Sequence, residues 1–293
     1  MLRYRHGSEL AYQIFIHVLI GIIAATAVFP LVYAAGMSLT SQSELIKRNY
    51  FVIIPWEPTL HGYERVLKTP AIWNSLVISL LRSTIGPILA LLLTLTGAYV
   101  LTVKTLPGRS FFLFMVLATI LFSGGLIPNY LVMRKLGLLN TFWVLVFPMM
   151  GHSFGLLIIK VFIENLPDGL IESARIDGAG HGQMLVWIVT PLTAPVLAAI
   201  GMFSIVDHWN AWFDALVYLT KDRLWPIQLI LRNILIGSFN TTEINLKLIG
   251  KKPLNPEALK MTTVVIGILP LLAVYPFLQK YFIKGVYLGA VKG

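Results

Sequence analysis

Residues Glu172-Ser173-Ala174-Arg175-Ile176-Asp177-Gly178, followed after nine residues by Ile188-Val189-Thr190-Pro191, form a polar island inside an apolar chain. A carboxylate at Glu172 can accept a charge-assisted hydrogen bond from a basic group on another protein. Pro167 and Asp168 suit the first turn of a helix, where a missing backbone donor costs little and a carboxylate meets the positive end of the helix dipole. Gly178 and Gly180 permit a sharp turn before a second helix. Segment 165–187 therefore reads as a compact helical elbow. Glu172, Arg175 and Asp177 keep it wet, while Ala174, Ile176 and Ala179 offer a small apolar face. Its chemistry is docking, not bond-making. An ordinary hairpin between two spans is the other reading of the same composition.

A second group is Trp209, Asn210, Trp212, Phe213 and Asp214. Aromatic rings stack on the C–H faces of sugars while amides and carboxylates bond hydroxyls, so the cluster can handle a saccharide. Tryptophan also collects at membrane boundaries in any membrane protein, which is the competing account. Arg82 lies about ten residues into an apolar run, roughly 15 Å down a helix, where a guanidinium facing lipid is costly. It is expected to face a pathway or a partner helix. Asn129, Tyr130 and His152 are further polar positions within apolar runs and further candidates for a substrate path. No second histidine stands at metal spacing from His152, so no metal site is expected.

Bond-making chemistry finds no home here. The chain has no Gly-x-x-x-x-Gly-Lys-Ser/Thr phosphate loop, no His-Glu-x-x-His helix and no Gly-x-Ser-x-Gly elbow. No catalytic residue and no cofactor of its own are expected.

The elements that must position these residues follow from composition. With 57% apolar and 12% charged residues and a mean hydropathy of +0.78, the chain carries about half the charge of an ordinary globular domain. Charge-free runs at 10–43, 83–103, 110–133, 136–159, 178–206 and 261–279 each suffice for one membrane-crossing helix, and the second reaches back to 69 if Arg82 is tolerated. Backbone groups in lipid must bond within their own segment, and no run alternates with the period of a membrane barrel. The expectation is an all-α integral membrane protein of six helices in one domain, 1–293. Its polar segments lie near 38–70, 165–187 and 207–260, the last expected as an extracytoplasmic loop. Prolines such as Pro87, Pro191 and Pro195 within runs can kink helices, although proline is common in membrane helices generally.

The absence of cysteine excludes disulfides. The net charge of +10 is scattered among loops, which suits anionic lipid headgroups and argues against nucleic acid. Counts of Lys and Arg favour cytoplasmic termini by a small margin once the long 207–260 loop is discounted.

The order Glu-x-Ala-x-x-x-Gly, nine residues, Ile-x-x-Pro resembles the signature loop of permease subunits in bacterial ABC importers. That family's pattern is Glu-Ala-Ala-x-x-x-Gly, nine residues, Ile-x-Leu-Pro; Ser173 and Thr190 are the departures. The context Asp177-Gly178-Ala179, the stretch Trp209 to Phe213 and the ending Phe282 to Gly293 are similar to the carbohydrate-uptake branch, the maltose-permease-like superfamily. Within it the chain resembles the second permease of oligosaccharide or polysaccharide systems, with importers of acidic sugars such as alginate among the candidates.

The resemblance implies a type I importer fold in the bacterial inner membrane. It further implies that Glu172, Ser173, Ala174, Asp177, Gly178 and Ala179 lie on a coupling helix that enters a cleft of a cytoplasmic ATPase. Implied partners are a second homologous permease, two copies of that ATPase carrying ATP and Mg, an extracytoplasmic binding protein, an oligosaccharide and lipid. The tail Tyr287 to Gly293 would reach the ATPase interface. The competing class is an ion-coupled secondary carrier, which should show carboxylates within its spans.

Overall fold

In the computed structural model, residues 7–236 and 256–290 are described. All regular elements among them are helical. Three are long and apolar enough to cross a membrane: Glu9–Ser38, Pro70–Thr102 and His181–Asn210. Two bent pairs, Arg109–Leu121 with Leu126–Lys135 and Phe142–Met149 with Ser153–Glu164, raise the number to five. A further helix, Pro256–Ala290, covers the run at 261–279. The chain divides into two compact units, Met1–Pro70 with Asn233–Ile268, and Ala71–Arg232 with Leu269–Gly293.

The first unit is built on helix α1 (Gly7–Ser38), whose most apolar stretch has no residue buried within the chain. Such a bare hydrocarbon face suits lipid. Its last turns bury Met37 against Leu45 and Val52, with Ala258 of the carboxy-terminal helix. Gly36 is required there, because a Cβ would stand 2.0 Å from the carbonyl oxygen of Ile53.

Ser41 caps the short α2 (Gln42–Lys47) through the Glu44 N–H. Burial works against the charge of Glu44, but the N–H of Trp56 at 2.9 Å and the Arg48 guanidinium at 3.0 Å outweigh it and hold the carboxyl below its usual value. A depressed folded pKa contributes stability that is present above the unfolded value, about 4.3 for Glu, and lost as pH falls through the folded value. Wild type should therefore melt above Glu44→Gln at pH 7. The gap should close below the ordinary carboxylate range, and a gap constant down to acid pH would contradict this account.

The second unit carries the residues of interest. Helix α3 (His61–Leu67) belongs to the first unit, and α4 (Pro70–Thr102) opens the second in one unbroken run, with Arg82 on its buried side. Small residues let α4 approach α10 (Thr190–Asn210) closely and antiparallel. A Cβ on Gly86 would meet the His208 ring at 2.2 Å, and one on Gly201 would meet Leu91 at 2.9 Å. This is the small-residue contact expected where lipid offers no hydrophobic drive to helix association.

The expected span at 110–133 is broken. Helices α5 (Arg109–Leu121) and α6 (Leu126–Lys135) meet at 119° across Phe122 to Gly125. Gly125 has φ +81°, a conformation open to glycine at little cost, and Pro128 falls in the first turn of α6, where its absent donor is not needed. The run at 136–159 is likewise divided, two 3₁₀ turns preceding α7 (Ser153–Glu164) at 48°.

The described part of 207–260 is not the open loop expected. Helix α10 continues to Asn210, followed by α11 (Phe213–Tyr218) and α12 (Ile227–Ile236), and Ile227, Leu229, Ile230, Leu231 and Ile234 are buried. Asp207, Lys221, Asp222 and Arg223 lower the local hydropathy, but apolar residues at helical spacing still fold it. Lys247, Lys251 and Lys252 of that segment lie outside the described residues, as do 291–293 of the expected tail contact.

Candidate functional site

Helix α8 (Asp168–Ile176) begins where Pro167 and Asp168 place it, and α9 (His181–Gln183) follows after a four-residue turn. The turn closes in a defined way. Gly178, at φ +82°, donates to the Arg175 carbonyl at 3.0 Å, and Ala179 donates to the Ala174 carbonyl at 2.9 Å. That pair of bonds is the Schellman cap, which satisfies the last carbonyls of the helix and brings Ala174 and Ala179 together. Gln183 accepts from the Gly180 N–H at 3.0 Å and caps α9 in turn.

Both alanines face inward. Ala174, with Ile171 and Ala179, packs on Leu95, Ala98 and Tyr99 of α4, Ile159 and Ile163 of α7, and Met184 and Val189. The apolar face expected from sequence is therefore split. Ala174 and Ala179 seat the elbow on its own spans, while Ile176 points outward at 84% exposure on the side of Glu172, four residues earlier. Ser173 is exposed and its hydroxyl donates to the Gly169 carbonyl at 2.6 Å, and Asp177 is exposed at the turn.

Beyond α9 the helix widens into a π turn, Met184–Val189, that runs into α10. Pro191 and Pro195 remove two donors there, and the Thr190 hydroxyl donates to the Leu185 carbonyl at 2.7 Å. The Ile-x-x-Pro part of the motif thus marks the joint between elbow and span.

Two supports of the elbow escaped the sequence reading. The Tyr99 hydroxyl lies 2.9 Å from Nδ1 of His181. Glu164, at the foot of α7, is held by Lys160 at 2.7 Å and by Arg109 at 3.0 Å. The Lys160 pair is an i,i+4 spacing that sequence could show, whereas Tyr99 to His181 and Arg109 to Glu164 span tens of residues without a local signal.

Arg82 has no exposed surface, and its partners are now explicit. One guanidinium nitrogen donates to the Ala211 carbonyl at 3.0 Å, and the other meets Met149 Sδ at 3.2 Å and pairs with Asp214. The second carboxylate oxygen of Asp214 accepts from the Ala215 N–H at 2.8 Å. Arg82 therefore joins α4 to the α10–α11 corner and to the turn before α7. It faces a partner element instead of an open path.

Asp214 also lines a cavity of about 270 Å³ at the α5–α6 break, together with Ser123, Gly125, Leu126, Asn129, Phe213, Val217 and Tyr218. Tyr130 stacks on Tyr218 with centroids 6.1 Å apart. Burial, and next the charge of Asp214, push the Tyr218 hydroxyl above its usual value.

The remaining candidates do not converge on this cavity. His152 caps α7, its Nδ1 accepting from the Gly155 N–H at 3.0 Å. Trp209 is buried, and Asn210 is exposed at the end of α10. Trp212 is half-buried beneath the Arg232 guanidinium at 4.2 Å, with Phe213 edge-on to it.

The family of binding-protein-dependent transport system inner membrane components matches residues 98–287, which include the elbow, the π joint and α10. The chain belongs to this family. Protein LplC of Bacillus subtilis strain 168 is 39% identical over 94% of this permease and 92% of its own length. The polygalacturonan/rhamnogalacturonan transport system permease protein YtcP of the same organism is 37% identical over 92% and 94%. Among solved structures, a chain of a bacterial ABC transporter that imports the acidic polysaccharide alginate superposes with a TM-score of 0.86 at 29% identity, covering 96% of this permease and all of that chain. The all-α permease fold and the multi-pass inner-membrane assignment follow, and membership of a binding-protein-dependent system sets aside the ion-coupled carrier.

Proposed function

We propose that this permease is one half of the translocation path of an ATP-driven oligosaccharide importer and that its 165–187 elbow receives the stroke of a separate ATPase. The carrying observation is the geometry of α8. It is a rigid knob, closed by its own cap and seated by Ala174 and Ala179 on α4 and α7, that turns Glu172 and Ile176 outward. A knob fixed to spanning helices moves them as a body when it is pushed, which is how rocking of one bundle against another is driven. ATP and Mg belong to two copies of the ATPase, and a second, similar permease supplies the other half of the path. An extracytoplasmic binding protein delivers the sugar, and both termini lie in the cytoplasm with the elbow. The saccharide class is supported by the names of the similar permeases and by the alginate importer chain.

Glu172→Ala in the complete importer tests this reading. Loss of a hydrogen bond to a charged group, about 1.5–3 kcal/mol, corresponds to a fall of roughly ten- to a hundredfold in docking-dependent ATP hydrolysis and uptake. The melting temperature should not move, because Glu172 is exposed. Uptake at the wild-type rate would refute the coupling role.

A further inference from the structure

Helix α4 lies antiparallel to the helix made by α9, the π turn and α10, and the two are fastened to each other near both ends. At one end Arg82 holds the Ala211 carbonyl at 3.0 Å and pairs with Asp214, and Gly86 admits the His208 ring against α4. At the other end, about 25 Å along α4 at 1.5 Å per residue, Tyr99 meets His181, the first residue of the paired helix. The Tyr99 hydroxyl and His181 Nδ1 stand 2.9 Å apart, and the rings are edge-on with centroids 6.0 Å apart. Either imidazole tautomer makes this bond, since a phenol hydroxyl both donates and accepts.

The two helices differ between these fastenings. From Arg82 to Tyr99 α4 stays regular α-helix and carries one proline, Pro87. Its partner widens into the π turn at Met184–Val189 and then lacks backbone donors at both Pro191 and Pro195. Widened turns and prolines are where helices bend. Movement of the elbow passed along the partner helix alone would be taken up at that joint. The seat of Ala174 and Ala179 on Leu95, Ala98 and Tyr99 is apolar and non-directional, so it resists separation more than sliding. The Tyr99 bond is directional. It ties His181, on the elbow side of the joint, to the more regular helix.

Resting on the coupling role of the elbow stated above, we propose that the Tyr99–His181 bond is a strut that carries elbow movement into α4 past the π joint. Tyr99 is then a positioning residue for transport: it touches neither sugar nor nucleotide and acts through the placement of α4. With the strut in place, α4 and α10 leave the elbow as a pair and the Arg82 end follows it. Without the strut the joint bends, the elbow slides on its apolar seat, and ATP is hydrolysed while the Arg82 end lags.

The test is double electron–electron resonance on the complete importer, ATPase and second permease included, in lipid nanodiscs. The chain has no cysteine, so Gly182→Cys beside His181 and Leu80→Cys near Arg82 carry the two spin labels. A Cβ at 182 meets open space and Leu80 is exposed, so neither label disturbs packing. With Tyr99 intact the labels should show one separation, the same with and without ATP and vanadate. Tyr99→Phe keeps the ring and leaves the exposed His181 to water, so the melting temperature should hold. ATP with vanadate should then raise the population of a second separation about two- to tenfold, the span over which one neutral hydrogen bond shifts an equilibrium. His181→Asn, whose amide sets a polar atom close to the place of Nδ1, should keep the single separation, and His181→Ala should lose it. Uptake of galacturonan oligosaccharide per ATP hydrolysed should fall by a similar factor in Tyr99→Phe. One nucleotide-independent separation in Tyr99→Phe, or a wild-type ratio of uptake to hydrolysis, would overturn the strut. Equal behaviour of His181→Asn and His181→Ala would do the same. The coupling reading is decided separately: it fails if Glu172→Ala takes up sugar at the wild-type rate, and it survives a failed strut if Glu172→Ala does not.

Discussion

Asp214→Ala is expected to lower the stability of the permease by about 3–5 kcal/mol, the cost of stranding one member of a buried ion pair. Arg82 has no exposed surface, so its charge cannot turn to solvent when Asp214 is removed. The Ala211 carbonyl and Met149 Sδ remain, but neither carries a balancing charge, and Arg82 Nε already has no hydrogen-bond partner among the described residues. Arg82→Met in the same background should recover most of the loss, because an apolar chain of similar length needs no partner there. Denaturant or thermal unfolding in detergent, run as a double-variant cycle, measures the coupling. A loss under about 1 kcal/mol in the single variant, typical of exposed pairs, would show that the guanidinium is wetter than its surroundings indicate. The pair pins α4 to the α10–α11 corner.

How much of this was legible in the sequence differs from element to element. The elbow was readable because its signals are local: Pro167 and Asp168 start α8, and Gly178 supplies the positive φ that its cap requires. Which face of α8 looks outward was not readable. Ala174 and Ile176 are both apolar, and only the positions of α4 and α7 decide that the smaller one is covered and the larger one is 84% exposed.

The α5–α6 break was present in Ser123-Gly124-Gly125, but a count of charge-free residues passes over glycine, so one straight span was expected. The same averaging read α11 and α12 as loop, although Ile227, Ile230, Leu231 and Ile234 keep helical spacing. Arg82 and Asp214 stand out in the sequence for separate reasons, and 132 residues separate them. Their pairing is a property of the fold, and no periodicity or motif announces it.

Gly86→Ala should be among the most damaging single-methyl changes in the second unit. The new Cβ would stand 2.2 Å from Nε2 and 2.3 Å from Cδ2 of His208, far inside van der Waals contact. The ring cannot swing away, since His208 is 1% exposed and its Nδ1 is tied to the Ser204 carbonyl at 2.8 Å. Either α4 and α10 separate or the ring leaves its rotamer, and overpacking of this kind costs about 1–3 kcal/mol or more. Separation would also strain the Arg82 pair, because Arg82 lies one turn from Gly86 on the same buried side of α4.

A size swap distinguishes this from simple loss of a helix-breaking glycine, which alone would favour alanine in a helix interior. His208→Ala alone should destabilise by leaving a void, whereas Gly86→Ala with His208→Ala should be more stable than the sum of the two predicts. Nε2 of His208 has no hydrogen-bond partner among the described residues, so removing the ring leaves no hydrogen bond unmade at that nitrogen. Uptake by the complete importer should follow the same order, with Gly86→Ala lowest and the double variant partly restored. A Gly86→Ala permease as stable as wild type would mean that the α4–α10 seam is not packed at this point. The small-residue contact would then lose its role in holding the two helices together.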